Sequence, residues 1–320
     1  MESLNREPDL RVRIGPLVLP NPVGVASGTF GYGQEYQELV DIGALGALYT
    51  KAVSIDPKPG NRPPRLVETP SGLINSIGLA NPGLPAFLDG KIPYLQSLGC
   101  PVVVNVVGET ESEYTTIVEA IEKRIGVLRE GLKGPVDGYE LNLSCPNVEK
   151  GGMAFGTEPE VVERITRKVR EITRRALVVK LSPNVTDIAQ IALAAEAGKA
   201  DAVSCINTVV GMAIDVKTCK PLIARGIGGL SGPAIRPIGV ACVWKVARAV
   251  RIPVIGLGGI GCANDALEYF LAGASAIQIG TAIFSNPRAP LEILEGVKTW
   301  MRERGVEKLK DIPSLFRFPS

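Results

Sequence analysis

The sequence predicts an α/β protein, a (β/α)₈ TIM barrel preceded by a small N-terminal β-hairpin. Eight short apolar runs recur along the 320 residues, at 22–27, 45–53, 101–107, 138–143, 176–181, 202–207, 253–257 and 276–279. They are apolar on both faces, as strands buried on both sides of a parallel sheet must be. Helical patterns lie between them, at 111–129, 158–175, 187–197, 237–250, 263–272 and 291–304. Strand–helix alternation repeated in this way closes into a barrel. A doubly wound open sheet is the alternative.

Each element has a local reason. The stretches 111–129 and 158–175 are long and amphipathic, the next three are shorter, and 291–304 is the last helix. Asp187, after Thr186, and Asn264-Asp265 stand where helix starts are expected. Arg11-Val12-Arg13-Ile14 and Leu17-Val18-Leu19 flank Gly15-Pro16, a hairpin pattern over 10–19 placed to plug the N-terminal end of the barrel. Two connections, 54–82 and 208–233, exceed simple turns and carry little predicted structure. Such loops are usually functional, and both would lie over the C-terminal face, where barrel active sites are built. With no linker or low-complexity tract, residues 1–320 read as one domain, its barrel core at about 21–305.

Composition narrows the function. Thirty-five basic residues against thirty-three acidic ones leave a net charge of +2, with no electrostatic case for nucleic acid or a membrane surface. No run approaches the roughly 18 apolar residues of a membrane span. The first ten residues carry Glu2, Arg6, Glu7 and Asp9 and lack a signal-peptide core, so the expected compartment is the cytoplasm. Cysteines 100, 145, 205, 219, 242 and 262 are too scattered for a zinc or iron–sulfur motif. All but Cys145 are expected to be inert and buried. Histidine is absent, so acid–base chemistry falls to Cys, Lys, Asp, Glu, Tyr or water.

Glycine-rich turns follow the last strands. Gly256-Leu257-Gly258-Gly259-Ile260-Gly261 matches G-x-G-x-x-G, but a dinucleotide site needs an opening βαβ unit and a later acid, and the next strand ends Gln278-Ile279-Gly280-Thr281. Pairing Gly258 and Gly259 with Gly280 and Thr281 gives the phosphate site that barrels build after strands seven and eight. Gly228-Gly229 and Ser231-Gly232 offer further donors. The alternative is that these glycines only make tight turns.

Polar residues at the strand ends form a ring: Ser27, Lys51, Asn105, Asn142 with Cys145 and Asn147, Lys180, and Asn207 with Thr208. A lysine in an apolar strand is costly unless an anion or a solvated mouth receives it. Amides donate and accept, so the ring suits a planar molecule with alternating N–H and C=O groups and a carboxylate, an isoalloxazine or a pyrimidine. Cys145, between Ser144 and Pro146, is the best placed base or nucleophile, since nearby lysines favour a thiolate. The loop continues through Lys150-Gly151-Gly152 and Phe155-Gly156, glycines suited to a lid.

The segment Asn142-Leu143-Ser144-Cys145-Pro146-Asn147, followed by Val148-Glu149-Lys150-Gly151-Gly152, resembles the catalytic loop of dihydroorotate dehydrogenases. Asn75-Ser76-Ile77-Gly78-Leu79 with Asn81-Pro82-Gly83, Ile206-Asn207-Thr208, Gly229-Leu230-Ser231-Gly232-Pro233 and Gly258-Gly259 extend the resemblance over nearly the whole barrel. It implies FMN held by Ser27, Lys51, Ala52, Asn105, Asn142, Lys180, Ile206, Gly232, Gly258, Gly259, Gly280 and Thr281. It implies substrate held by Lys51, Asn75, Ser76, Ile77, Gly78, Leu79, Asn142, Asn147, Asn207 and Thr208. Cys145 would take the C5 proton of dihydroorotate while hydride passes from C6 to flavin N5, and Lys180 would stabilise the reduced ring. Cys rather than Ser as base, without an N-terminal membrane segment, resembles class 1. Lys150-Gly151-Gly152 and the 229–233 motif resemble its NAD-linked 1B type, which works with a subunit carrying FAD and a 2Fe–2S cluster, as a homodimer within a heterotetramer. Ala52, where the family leads one to expect Ser, is a departure at one flavin contact. A fumarate-linked class 1A enzyme, a non-redox barrel lyase or isomerase acting on a phosphorylated metabolite, and a non-catalytic flavin- or nucleotide-binding subunit are the alternatives.

Overall fold

The computed structural model describes residues 7–127, 134–144 and 155–318. In chain order, a hairpin of β1 (Val12–Ile14) and β2 (Leu17–Leu19) precedes β3 (Val23–Val25) and β4 (Ala47–Tyr49). A second hairpin, β5 (Leu66–Thr69) and β6 (Gly72–Asn75), leads through α1 (Gly83–Ala86) and α2 (Ile92–Gln96) to β7 (Val102–Val106) and α3 (Glu111–Val127). Then come β8 (Gly138–Asn142), α4 (Pro159–Ile172), β9 (Ala176–Leu181), α5 (Ile188–Ala197) and β10 (Ala202–Cys205). An excursion follows, of β11 (Val209–Met212), β12 (Ile214–Asp215), β13 (Lys220–Pro221) and β14 (Ile227–Ser231). The chain ends with α6 (Arg236–Ala249), β15 (Val254–Leu257), α7 (Ala263–Ala272), β16 (Ala276–Ile279), α8 (Ala282–Ser285) and α9 (Ala289–Glu303).

Strands β3, β4, β7, β8, β9, β10, β15 and β16 close into one barrel in that order, every pair parallel. The expected fold is therefore present, on the expected eight runs. Strands β9 and β16 match their runs; the other six are shorter, because residues beyond the strand ends, such as Ala52 and Val53, are still buried. The first crossover, from β3 to β4, has no α-helix; it is made by 3₁₀ turns at Gln34–Tyr36 and Ile42–Ala44. The α4 face shows how the outer layer is held. Val161, Val162, Ile165, Thr166 and Val169 recur at helical spacing and are all buried.

The hairpin β1–β2 sits at the N-terminal end, as expected. Val12, Ile14 and Leu19 are buried, and Gly15, in the left-handed region at φ 54°, backs onto Asp201, where a Cβ would collide with the carboxylate. Asp201 precedes β10 and also braces that end, accepting from Leu177 N at 2.9 Å and Arg170 at 3.1 Å.

The two long connections are not structureless. Strands β5 and β6 from the first and β11 and β14 from the second form one antiparallel sheet, ordered β11-β14-β6-β5. Its register sets Gly229 opposite Asn75 and Ser231 opposite Leu73. A composite helix spans α1, a π-helical turn at Phe87–Lys91 and α2, where sequence patterning indicated none. Two cysteines expected to be buried, Cys219 and Cys262, are exposed; Cys262 is the N-cap of α7.

Candidate active site

A cavity of about 720 Å³ opens between the C-terminal ends of the barrel strands and the accessory sheet. The expected residues Ser27, Lys51, Ala52, Asn142, Asn207, Thr208 and Thr281 line it from the barrel side. Asn75, Ser76, Ile77, Gly78 and Leu79 line it from the β5–β6 side. Residues 145–154, with Cys145, Asn147 and the Lys150-Gly151-Gly152 segment, lie outside the described residues.

The loop after β6 is tied by two asparagines. Asn61 Nδ2 donates to Ser76 O at 2.9 Å and to Ser76 Oγ at 2.8 Å. Asn81 is nine-tenths buried; its amide donates to Ser54 Oγ and Leu79 O, both at 2.8 Å, and its oxygen accepts from Gly83 N at 2.9 Å. These bonds hold Leu79 in the left-handed region, at φ 55°. Across the cavity, Asn207 Nδ2 donates to Ser144 Oγ at 2.8 Å, and Tyr114 Oη fixes Asn142 O at 2.9 Å.

Lys51 does not lie in a strand. It follows β4 by two residues and is half-exposed at the cavity. Burial, then the Arg65 cation, push its ammonium below the ordinary lysine range, against a smaller opposite pull from Glu35. Lys58, also on the wall, is ion-paired with Glu109.

Lys180 and Asn105 do not line the cavity; they lie in the buried layer beneath. Lys180 is 6% exposed and is the register partner of Asn142, which does line it. The anion expected near this lysine is supplied in part by the protein itself. Glu140, fully buried on β8, approaches Lys180 Nζ at 3.8 Å. Its carboxylate also accepts from Asn105 Nδ2 at 2.6 Å, Ser204 Oγ at 2.8 Å and Gln278 Nε2 at 2.8 Å. Sequence reasoning missed Glu140, Ser204 and Gln278. The available signal was spacing: Glu140 stands two residues before Asn142 on one strand and so shares its face. The Asn105 oxygen is buried without a hydrogen-bond partner among the described residues.

Of the residues expected to form a phosphate site after β15 and β16, Thr281 lines the cavity, while Gly258, Gly259 and Gly280 do not. Gly258 and Gly259 follow β15 at φ 125° and 70°, and a Cβ on Gly259 would lie 2.6 Å from Gly232 O. On Gly258 it would lie 3.5 Å from Ile206 Cγ1. Gly280 sits beside Ala26 at the end of β3, one residue before the cavity-lining Thr281. The backbone N–H groups of Gly258, Gly259, Gly280 and Thr281 have no partner among the described residues. By contrast, Gly261 and Cys262 donate to Asp265, so the far end of the G-x-G-x-x-G segment is spent capping α7. That segment follows the seventh barrel strand, not the opening strand of a dinucleotide fold.

An eight-stranded barrel with an amide- and lysine-lined cavity at its C-terminal mouth, and open glycine N–H groups beside it, defines a barrel enzyme for a small polar, anionic molecule. Comparison with known proteins specifies the family. The family profile described as dihydroorotate dehydrogenase matches residues 9–301. A protein of Trichlorobacter lovleyi named dihydroorotate dehydrogenase B (NAD(+)), catalytic subunit, is 49% identical, the match covering 97% of this chain and 98% of that one. Proteins of the same name from Thermoanaerobacter pseudethanolicus and Geobacter sulfurreducens are 48% and 47% identical, over 95% and 96% of this chain and 97% and 98% of theirs. The chain belongs to the dihydroorotate dehydrogenase family.

Proposed function

We propose that this chain is the catalytic subunit of a class 1B dihydroorotate dehydrogenase, oxidising (S)-dihydroorotate to orotate in de novo pyrimidine biosynthesis. Electrons would pass to NAD⁺ through a partner subunit carrying FAD and a 2Fe–2S cluster. The reading includes a homodimer within a heterotetramer, a cytoplasmic location, and residues 1–320 as one FMN-binding domain. Among the described residues no helix is long and apolar enough to cross a membrane. The observation that carries the reading is the single cavity joining Lys51, the 75–79 loop, Asn142, Asn207 and Thr208. Its size lies within the ordinary range for small-molecule sites, about 300–1,000 Å³.

FMN fits the residues present. The unpartnered Asn105 oxygen calls for an N–H, and the free N–H groups at 258, 259, 280 and 281 call for phosphate oxygens. Ser27, Lys51, Ala52, Asn142, Lys180, Ile206 and Gly232 complete the proposed set. Bound FMN supplies the hydride acceptor. Lys51 would meet the substrate carboxylate, a charge-assisted contact in a partly dry cavity. Asn75, Asn142, Asn147 and Asn207 would hold the pyrimidine edges, with Ser76, Ile77, Gly78, Leu79 and Thr208 closing around them. Cys145 would remove the C5 proton, the role left open by the absence of histidine. Lys180 would keep a positive charge beneath the ring.

The test is an anaerobic titration of the purified chain, loaded with FMN, with dihydroorotate. Bleaching of the visible flavin bands is expected. A protein that stays colourless after FMN is offered would support a non-redox barrel enzyme instead. Strong fumarate turnover by the isolated chain would overturn the 1B assignment in favour of 1A. Cys145→Ser should depress oxidation at neutral pH with FMN retained; an unchanged rate would remove the thiolate from the mechanism.

A further inference from the structure

The centre of the barrel holds an acid for which the proposed mechanism has no use. Glu140 is fully buried, and donors on β7, β10 and β16 converge on it, with the Lys180 cation on β9. Barrel interiors are normally filled by Val, Ile and Leu. A carboxylate at this position is costly, and the same fold stability is available from apolar packing.

What the carboxylate does uniquely is force orientations. An ionised carboxylate only accepts, so each amide beside it must turn its NH₂ inward. Asn105 donates through Nδ2 and Gln278 through Nε2, and the two amide oxygens left over are both buried without a hydrogen-bond partner among the described residues. The Gln278 amide has the Tyr49 hydroxyl beside it. The Asn105 oxygen remains as an unanswered acceptor one layer beneath the cavity. Glu140 also lies near enough to Lys180 to offset its charge, yet at 3.8 Å it leaves the ammonium hydrogens available to another acceptor.

We propose that Glu140 is a positioning residue: it fixes the Asn105 amide with its oxygen presented to a ring N–H, with its own carboxylate set beside Lys180 Nζ. The inference rests on the FMN reading. The oxidised flavin ring carries a single N–H, at N3, so a ring methylated there is the probe.

The experiment measures binding of FMN and of 3-methyl-FMN to the flavin-free full-length protein by fluorescence. Wild type should favour FMN by about tenfold or more, the scale of one buried hydrogen bond. Glu140→Gln keeps the size of the side chain but adds a donor, so Asn105 can turn over, and the preference should fall to about threefold or less. The double change Glu140→Gln with Asn105→Asp restores a carboxylate facing an amide, and the preference should return. Should E140Q melt below the assay temperature, this exchanged pair carries the test. Ser204→Ala, which removes one donor to the same carboxylate, should lower the melting temperature and leave the preference unchanged. A wild type that binds no FMN overturns the flavin reading and this inference with it. A wild type that discriminates, with E140Q discriminating equally or a folded exchanged pair failing to recover, overturns the inference alone.

Discussion

Lys51 should couple ligand binding to pH, with opposite signs for binding and for folding. Its ammonium titrates below the ordinary lysine value of about 10.4, because burial and Arg65 both disfavour the charge. A ligand carboxylate beside it favours the charged form. The free protein therefore takes up a proton on binding once pH exceeds the lowered value. Affinity for orotate should fall with rising pH toward a limiting slope of one proton, tenfold or about 1.4 kcal/mol per pH unit. Folding runs the other way. Between the folded and unfolded values the unfolded chain binds more protons, so stability of the ligand-free protein rises with pH in that window. The assay is orotate titration of the FMN-loaded protein from pH 7 to 10.5, paired with denaturant melts. Lys51→Arg should flatten the binding profile, since guanidinium stays charged throughout. A wild-type affinity independent of pH would refute the placement of Lys51 against the carboxylate.

Three substitutions probe the frame around the cavity. Gly229→Ala would drive a Cβ into Thr208 Oγ1, costing about 1–3 kcal/mol in denaturant melts and weakening orotate with FMN retained. Asn81→Ala would leave Gly83 N without its acceptor and take from Ser54 Oγ the bond it accepts, a loss of about 2 kcal/mol or more, with faster proteolysis in the 75–83 loop. Tyr269→Phe would free Gly258 O from its 2.7 Å bond, costing about 1 kcal/mol and speeding FMN release from the glycine rim.

The barrel was legible because its signal is local. A run such as Val102–Val106 announces a doubly buried strand within five residues. The strand-end ring was legible for the same reason, since polar residues interrupt apolar runs at Lys51, Asn142 and Asn207. The accessory sheet was not. Its strands pair across segments about 150 residues apart, and exposure alternates along β5, so no window contains its hydrophobic face. The α1–α2 stretch was hidden by Gly83, Pro85, Gly90 and Pro93, all poor helix formers, which tertiary packing around the fully buried Phe87 and Ile92 overrides. Glu140 was not legible because it lies inside its strand rather than at the end, and its partners come from four other strands.

The cavity thus has two walls held by different physics. The barrel wall carries Asn142 on a strand and the rest of its side chains, Lys51 and Asn207 among them, within a few residues of the ends of strands whose neighbours are fixed on both sides. The outer wall belongs to loops, and its precision comes from register. Asn75 faces Gly229 across the β6–β14 ladder and donates to its carbonyl at 3.2 Å, so a residue of the first excursion is aligned with Thr208 through the second. A slip of one residue would turn Asn75 to the opposite face of the sheet. Glycine at 228 and 229 works against that slip, because each lies where a Cβ would strike Asn75 O or Thr208. Close backbone approach, rather than any contact with ligand, is therefore the physical demand on this pair of glycines.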